Sequence, residues 1–182
     1  MFERYTERAR RVIFFARYEA SQFGHTKIES VHLLLGLLRE ATDLIQRILP
    51  AIPPEKLRRQ VEHRVTVWPK ISAAIELPVS DECKRILAFA YEESERLKQS
   101  FIGTEHLLVG LLREENCLAA RILTEEGLKI AEARDQLAGA QGTPASRGTV
   151  EGPLDRSAVH ALVDQLPESM LARAHWMLSQ LL

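Results

Sequence analysis

Two histidines and two cysteines carry the side chains in this sequence that most readily bind a metal or act as a base. His32 and His106 each stand beside leucines, and neither has a cysteine or aspartate at the spacing of a shared ligand set. Cys83 and Cys117 show no metal-type spacing, and Cys83 falls on the core side of a predicted helix. No serine lies in a nucleophile-elbow sequence. Local spacing therefore predicts hydrogen-bonding structural histidines and a buried free thiol, with no catalytic group, metal or cofactor.

The two histidines occupy the same position in an internal repeat with a shift of 74 residues. Residues 28–40 align with residues 102–114, and 9 of these 13 positions are identical. The alignment continues outward without a gap, since Phe15 meets Phe89. A duplicated unit of this length predicts two similar halves packed about a pseudo-twofold axis, with related surfaces on each half. This architecture favours binding over catalysis.

Apolar residues recur at the helical spacing of three and four residues in both halves. The leucine-rich segments at 31–40 and 105–114 are apolar almost all round, so each is expected to be the central buried helix of its half. Gly36 and Gly110 interrupt these helices at a cost of about 1 kcal/mol relative to alanine, and close helix packing is the expected compensation. The pattern predicts an all-α fold of two pseudo-twofold-related four-helix repeats.

The predicted domain boundaries follow the repeat and a change in composition. The double-repeat domain covers residues 1–138, with repeat one at 1–65 and repeat two at 77–138. Residues 139–153 are rich in small and turn-forming residues and predict a flexible linker. Residues 154–182 predict a C-terminal helical hairpin with too few residues for a core of its own. Because its apolar side would be exposed in a monomer, we expect it to form a homodimer contact, with packing onto the main domain as the alternative.

The bulk composition excludes several classes of protein. The chain has 182 residues, 46% of them hydrophobic, which suits one domain with a small appendage. Its net charge of −1 argues against general nucleic-acid binding. Charged residues interrupt every apolar run, which argues against a membrane span. The N-terminus lacks the apolar core of a secretion signal, so a cytoplasmic location is expected.

Three segments resemble a known family. They are the opening residues 1–9 (MFERYTERA), Gly24-His25 before the second helix, and residues 102–111 (IGTEHLLVGL). Together they resemble the Clp N-terminal repeat domain at the front of Clp-type AAA+ unfoldases, most closely the ClpC group. The resemblance implies two four-helix repeats that receive substrates or adaptors for an unfoldase feeding a ClpP-type protease. The sequence contains no phosphate-binding loop motif, so the ATPase module is absent, and the amphipathic tail favours a small complete protein over a fragment.

The resemblance also implies a candidate site for phosphorylated arginine. A carboxylate can bind the guanidinium through paired hydrogen bonds, while hydroxyls and helix N–H groups can bind the phosphate. The family's threonine positions fall on Thr6 and Ser80, and its glutamate positions fall on Val31 and Glu105. The second half thus keeps Ser80 and Glu105, beside Thr104. Since Val31 cannot accept a hydrogen bond, Thr6 and Val31 form a degenerate first-half site. The alternative is that the hydroxyls only cap helices and that Glu105 only complements a helix dipole.

The sequence therefore predicts a non-enzymatic protein-binding module of the Clp protease system. Its expected partners are protein substrates or adaptors, with a Clp AAA+ unfoldase as a further candidate. One alternative is a regulatory or structural subunit that docks on the Clp machine without binding clients. Another is an enzyme whose site is assembled only by the fold.

Overall fold

The computed structural model describes residues 3–72 and 75–139, and this part of the chain is helical. Its helices are α1 Glu7–Gln22, α2 Ser30–Glu40, α3 Thr42–Ile48, α4 Pro54–Arg64, α5 Asp81–Arg96, α6 Thr104–Arg113, α7 Leu118–Glu125 and α8 Ile130–Gly139. The predicted all-α class is confirmed for the described residues. Helix α8 extends to the first residue of the expected linker, and the expected hairpin at 154–182 lies outside the described residues. No helix in the described ranges has the length and apolar character needed to cross a membrane.

The first two helices of each half begin in two different ways. Thr6 and Ser80 cap α1 and α5, because each hydroxyl oxygen accepts a hydrogen bond of 3.2 Å from the backbone N–H three residues later. Helices α2 and α6 use histidine instead. The Gly103 N–H donates to His106 Nδ1 at 3.0 Å, and the Glu29 N–H makes the equivalent 2.9 Å bond to His32 Nδ1.

Thr104 is therefore the first residue of α6 and not its cap, so that part of the capping interpretation was wrong. The structural role expected for the two histidines is confirmed by these bonds.

The central helices α2 and α6 pack closely on α1 and α5. Leu34, Leu35 and Leu37 of α2 are fully buried, as are Leu107, Leu108 and Leu111 of α6. A Cβ atom at Gly36 would clash with the backbone carbonyl of Val12 on α1, and one at Gly110 would clash with that of Ile86 on α5. The two glycines thus permit the same close crossing in both halves, which confirms the compensation expected for their cost.

The two halves exchange the short segments that precede their helices. Tyr5 pairs with Ile102 in a parallel bridge, and Ile28 pairs with Val79 in another. Tyr5 corresponds to Val79 and Ile28 corresponds to Ile102 under the shift of 74 residues, so the two bridges are related by the pseudo-twofold axis. The Thr6 N–H donates to Ile102 O at 3.0 Å. As a result, the start of α1 lies beside the start of α6, and the start of α5 lies beside that of α2.

The connection between the halves is attached to the end of α1. The Trp68 N–H donates to Phe23 O at 2.9 Å, and His25 Nε2 bonds the Thr66 carbonyl at 2.7 Å. Gly24, at φ 71°, permits this approach, because a Cβ there would overlap the Pro69 carbonyl. The segment that the sequence predicts only as a connection is therefore held in place, with Trp68 59% exposed.

A buried glutamate in each half joins three of its helices. Glu19 of α1 pairs with an arginine of α2 and one of α4. Glu93 of α5 pairs with Arg96 at 2.6 Å, Arg134 of α8 at 2.6 Å and Arg113 of α6 at 3.3 Å. Burial alone would raise the pKa of Glu93, but the hydrogen bonds from Arg134 and Arg96 outweigh it, so its pKa is lowered. These carboxylates stabilise the helix arrangement behind the exchanged segments.

Candidate functional site at the helix starts

The fold distributes the five predicted site residues differently from the sequence prediction. The exchange of segments places Ser80 in the α2–α5 site, where the Ser80 N–H donates to Ile28 O at 2.9 Å and Ser80 lines a pocket with Val31. Glu105 follows the start of α6, beside Thr6 in the α1–α6 site. The expected grouping of Ser80 with Glu105 is therefore not formed, because each site combines a helix start from each half.

The α1–α6 site contains Thr6, Thr104 and Glu105. The Thr104 hydroxyl donates to Glu105 Oε2 at 3.2 Å. The Glu105 side chain is 33% exposed and lies over Gly103, where a Cβ would overlap its carboxylate. This glycine therefore permits the observed position of the carboxylate. The site combines a capping hydroxyl, two helix starts and an accessible hydrogen-bond acceptor.

The α2–α5 site contains Glu29, Val31, Ser80 and Glu82. Val31 is only 2% exposed and has no hydrogen-bonding group in its side chain. The Ser30 N–H, at the start of α2, donates to Glu82 Oε1 at 3.0 Å. A carboxylate of the other half therefore already occupies the position at which a helix start would bind an anion.

The second residue of the first helix in each half has opposite charge in the two halves. Arg8 is the second residue of α1, and Glu82 is the second residue of α5. Arg8 donates to the Glu40 carbonyl at 2.9 Å and also pairs with Asp43. The hydrogen bond from Arg8 is the main cause of the lowered pKa of Asp43. The position that carries a carboxylate at the α2–α5 site therefore carries an arginine in α1, whose guanidinium is held by Glu40 and Asp43.

A pocket of about 420 Å³ opens at the α2–α5 site. Its polar walls include Glu29, Glu82, Ser80 and Arg64, and Trp68 forms an aromatic wall. Arg64 is also paired with Glu125 at 2.5 Å. The apolar part of the lining is formed by Val31, Val65 and Leu118. Sequence reasoning missed Trp68, Glu29 and Glu82 as a set, because they converge only when the connection and both halves meet.

Three side chains at the entrance of α2 lie close enough to suggest a metal centre. One ligand atom from each of His25, Glu29 and His32 lies within 4.8 Å of the others. However, His32 Nδ1 accepts the Glu29 N–H, so the neutral ring carries its proton on Nε2. Burial, with the nearby His25 as a second cause, lowers the pKa of His32 to about 3, which keeps the ring neutral.

The buried His32 Nε2–H is therefore a hydrogen-bond donor without a partner among the described residues, and not a lone pair for a metal. This leaves His25 and Glu29 as two ligands, which do not form a metal centre.

The sequence of this chain matches a known protein family. The family described as "Clp repeat (R) N-terminal domain" matches residues 4–126 of this chain. The chain belongs to this Clp repeat N-terminal domain family. Its sequence resemblance to the Clp N-domain is therefore confirmed.

Two curated bacterial relatives show how much of a Clp ATPase the Clp domain represents. "Negative regulator of genetic competence ClpC/MecB" of Bacillus subtilis is 36% identical over 139 residues, which is 75% of this chain and 17% of that protein. The "ATP-dependent Clp protease ATP-binding subunit ClpC" of Staphylococcus saprophyticus is 36% identical over 146 residues, which is 79% of this chain and 18% of that protein. The chain thus spans less than a fifth of either relative.

Solved structures confirm the Clp N-domain fold. The N-terminal domain of ClpD from Arabidopsis thaliana has a TM-score of 0.63 and 32% identity, covering 76% of this chain and 97% of that one. The Hsp104 N-terminal domain from Candida albicans has a TM-score of 0.62 and 20% identity, covering 77% of this chain and 93% of that one. The second likeness supports the fold alone.

Proposed function

We propose that this protein is a recognition domain of the Clp protease system, which binds degradation substrates or their adaptors in the cytoplasm. The names of its relatives support this role, because they include ATP-binding subunits of the Clp protease. The side chains at the helix starts also favour binding over catalysis. They offer hydroxyl and carboxylate groups for hydrogen bonds, but no nucleophile with an adjacent base.

The α1–α6 site binds the side chain of phosphorylated arginine in this proposal. The carrying observation is the Tyr5–Ile102 bridge, which brings the α1 start beside the α6 start. The phosphate interacts with the Thr6 hydroxyl and the α1 start. The guanidinium donates paired hydrogen bonds to Glu105. This assignment keeps Glu105 from the sequence prediction but replaces Ser80 with Thr6.

Only one phosphoarginine site per chain is expected. In the α2–α5 site, Val31 stands at the position of Glu105, and the Glu82 carboxylate occupies the α2 start, where the phosphate would have to bind. A phosphate there would meet a like charge and would have to displace the bond between Ser30 and Glu82. The two sites therefore differ in ligand chemistry although they share one backbone arrangement.

Calorimetry with free phosphoarginine and the full chain tests this proposal. We expect one binding site per chain, which is lost in Glu105→Ala and at least tenfold weaker in Thr6→Ala, because each change removes a charge-assisted or hydroxyl contact. Ser80→Ala is the matched control, since it removes the equivalent cap of α5 but leaves the α1–α6 site intact. Two equal sites, no binding, or loss of binding in Ser80→Ala with retention in Thr6→Ala would contradict the proposal.

A further inference from the structure

We propose that the α2–α5 pocket binds an unmodified cationic side chain of a client protein, and arginine more tightly than lysine. This inference rests on the proposed function as a client-binding domain, but on a different site and a different ligand. The pocket of about 420 Å³ has room for one extended side chain. Its lining supplies two carboxylates, an aromatic ring and an apolar floor, and its one arginine, Arg64, is itself paired with Glu125.

Neither pocket carboxylate pairs with a lysine or an arginine in the described part of the chain, although Glu29 lies 3.7 Å from the His25 ring. Within residues 3–72 and 75–139, no lysine or arginine nitrogen lies within 4 Å of the carboxylate of Glu29 or Glu82, whereas most other glutamates of the two halves are paired. Glu82 is fixed by the Ser30 N–H, and the Glu29 side chain is half exposed. The guanidinium of arginine can donate to two carboxylates at once, which a single ammonium does less well.

Trp68 supplies the aromatic wall at which a guanidinium can stack. Its ring lines the pocket and is 59% exposed, although its backbone N–H is fixed to Phe23 O. A tryptophan face is the strongest of the aromatic partners for a cation, and a planar guanidinium stacks on it. Among residues 3–72 and 75–139, no tryptophan other than Trp68 is present, and Gly24, which permits the approach of the connection, is matched by Lys98 in the second half.

The apolar floor fits the aliphatic part of the same side chain. Val31 is the residue that removes the acceptor for phosphoarginine, and it lines this pocket together with Val65 and Leu118. The methylene groups of arginine or lysine bury well on such a surface while the charged end reaches the carboxylates. The substitution that makes the site unsuitable for phosphoarginine thus contributes to a site for the unmodified residue.

NMR of the Trp68 indole N–H in the full chain, in a Trp176→Phe background, tests the inference. N-acetyl-arginine amide should give a saturable shift of this signal, N-acetyl-lysine amide a weaker response, and the uncharged citrulline analogue none. Glu82→Gln should weaken arginine binding about tenfold, because a charge-assisted hydrogen bond becomes a neutral one. The glutamine oxygen can still accept the Ser30 N–H, so the α2 start is preserved.

Glu105→Gln is the matched control for the other site. It should leave the arginine titration at Trp68 unchanged while it removes phosphoarginine binding, so failure of one proposal is distinguishable from failure of the other. Trp68→Leu, followed through the backbone amides of Ser30 and Val31, should weaken arginine binding severalfold. An equal response to citrulline, an unchanged affinity in Glu82→Gln, or no saturable shift with arginine would overturn the inference.

Discussion

The backbone N–H of Ser30 in one half donates a 3.0 Å hydrogen bond to the Glu82 carboxylate of the other half. The equivalent position of Glu82 at the other site is Arg8, so the internal duplication has diverged by a reversal of charge at one helix start. The pair Ser30–Glu82 therefore separates the two pseudo-equivalent sites by chemistry, although the fold makes their backbones alike.

Restoring the missing chemistry should create a second phosphoarginine site. The double variant Val31→Glu with Glu82→Arg supplies an acceptor for the guanidinium and removes the carboxylate from the α2 start. Calorimetry should then show two phosphoarginine sites per chain, whereas either single change should leave one. A stoichiometry of one for the double variant, with the fold intact by circular dichroism, would contradict the role assigned to these two positions.

Gly36→Ala should destabilise the domain even though alanine favours helix. The new Cβ meets the Val12 carbonyl at the α1–α2 crossing, and an overpacked backbone contact costs about 2 kcal/mol net. Urea denaturation measures this loss. Gly127 is the comparison, because it has φ 96° and open space around its Cβ position. Gly127→Asn should be tolerated better than Gly127→Ala, since asparagine adopts this conformation more readily, and Gly36→Asn should be worse than Gly36→Ala.

The buried histidines should make stability fall as the pH drops below neutrality. The pKa of His32 is about 3 in the folded chain against 6.5 for an ordinary histidine, because burial disfavours the charged ring. The unfolded chain therefore binds more protons between these values, so stability rises with pH across this window by up to about 1.4 kcal/mol per pH unit. Burial also lowers the pKa of His106, which acts in the same direction.

His32→Asn should reduce this slope between pH 6.5 and pH 5, measured by urea denaturation at several pH values. His63→Asn, at the exposed end of α4, is the control and should leave the slope unchanged. An unchanged slope in His32→Asn would show that this ring does not stay neutral in the folded chain.

Glu93 should contribute stability that is lost in a more acidic window. Its folded pKa is lowered from the usual 4.5, so its contribution is present above that value and disappears as the pH falls through the folded pKa. Glu93→Gln should cost about 2 kcal/mol at pH 7, less than for a fully buried pair because the three arginines reach solvent. The loss should shrink below pH 4.5, and Glu55→Gln, exposed in the first turn of α4, should show neither effect.

The C-terminal segment should control self-association. The amphipathic pattern of residues 154–182 predicts a homodimer contact. Light scattering should give twice the monomer mass for the full chain and the monomer mass for a truncation after Ala140. If both run as monomers, the segment instead packs on its own chain or remains unpaired, and the dimer prediction is wrong.

The sequence alone determined the helical class, the repeat and the family. Apolar residues spaced three and four apart indicate a helix with one buried face, because this spacing depends only on neighbours along one chain segment. The glycine repeated in both central helices indicates close helix packing. The structural role of His32 and His106 also followed from their leucine-rich surroundings. The helical period and the role of the histidines depend on neighbours within one half, and the repeat needs only an alignment of the two halves along the chain.

Only the tertiary structure decided which helix starts share a site. Ser80 and Glu105 belong to the same repeat, yet the parallel bridges Tyr5–Ile102 and Ile28–Val79 place them in different sites. Periodicity within one half cannot reveal an exchange between halves, since both arrangements bury the same apolar faces. For the same reason, the contact of Glu82 with Ser30 and the place of Trp68 in the pocket wall depend on backbone hydrogen bonds that join distant segments.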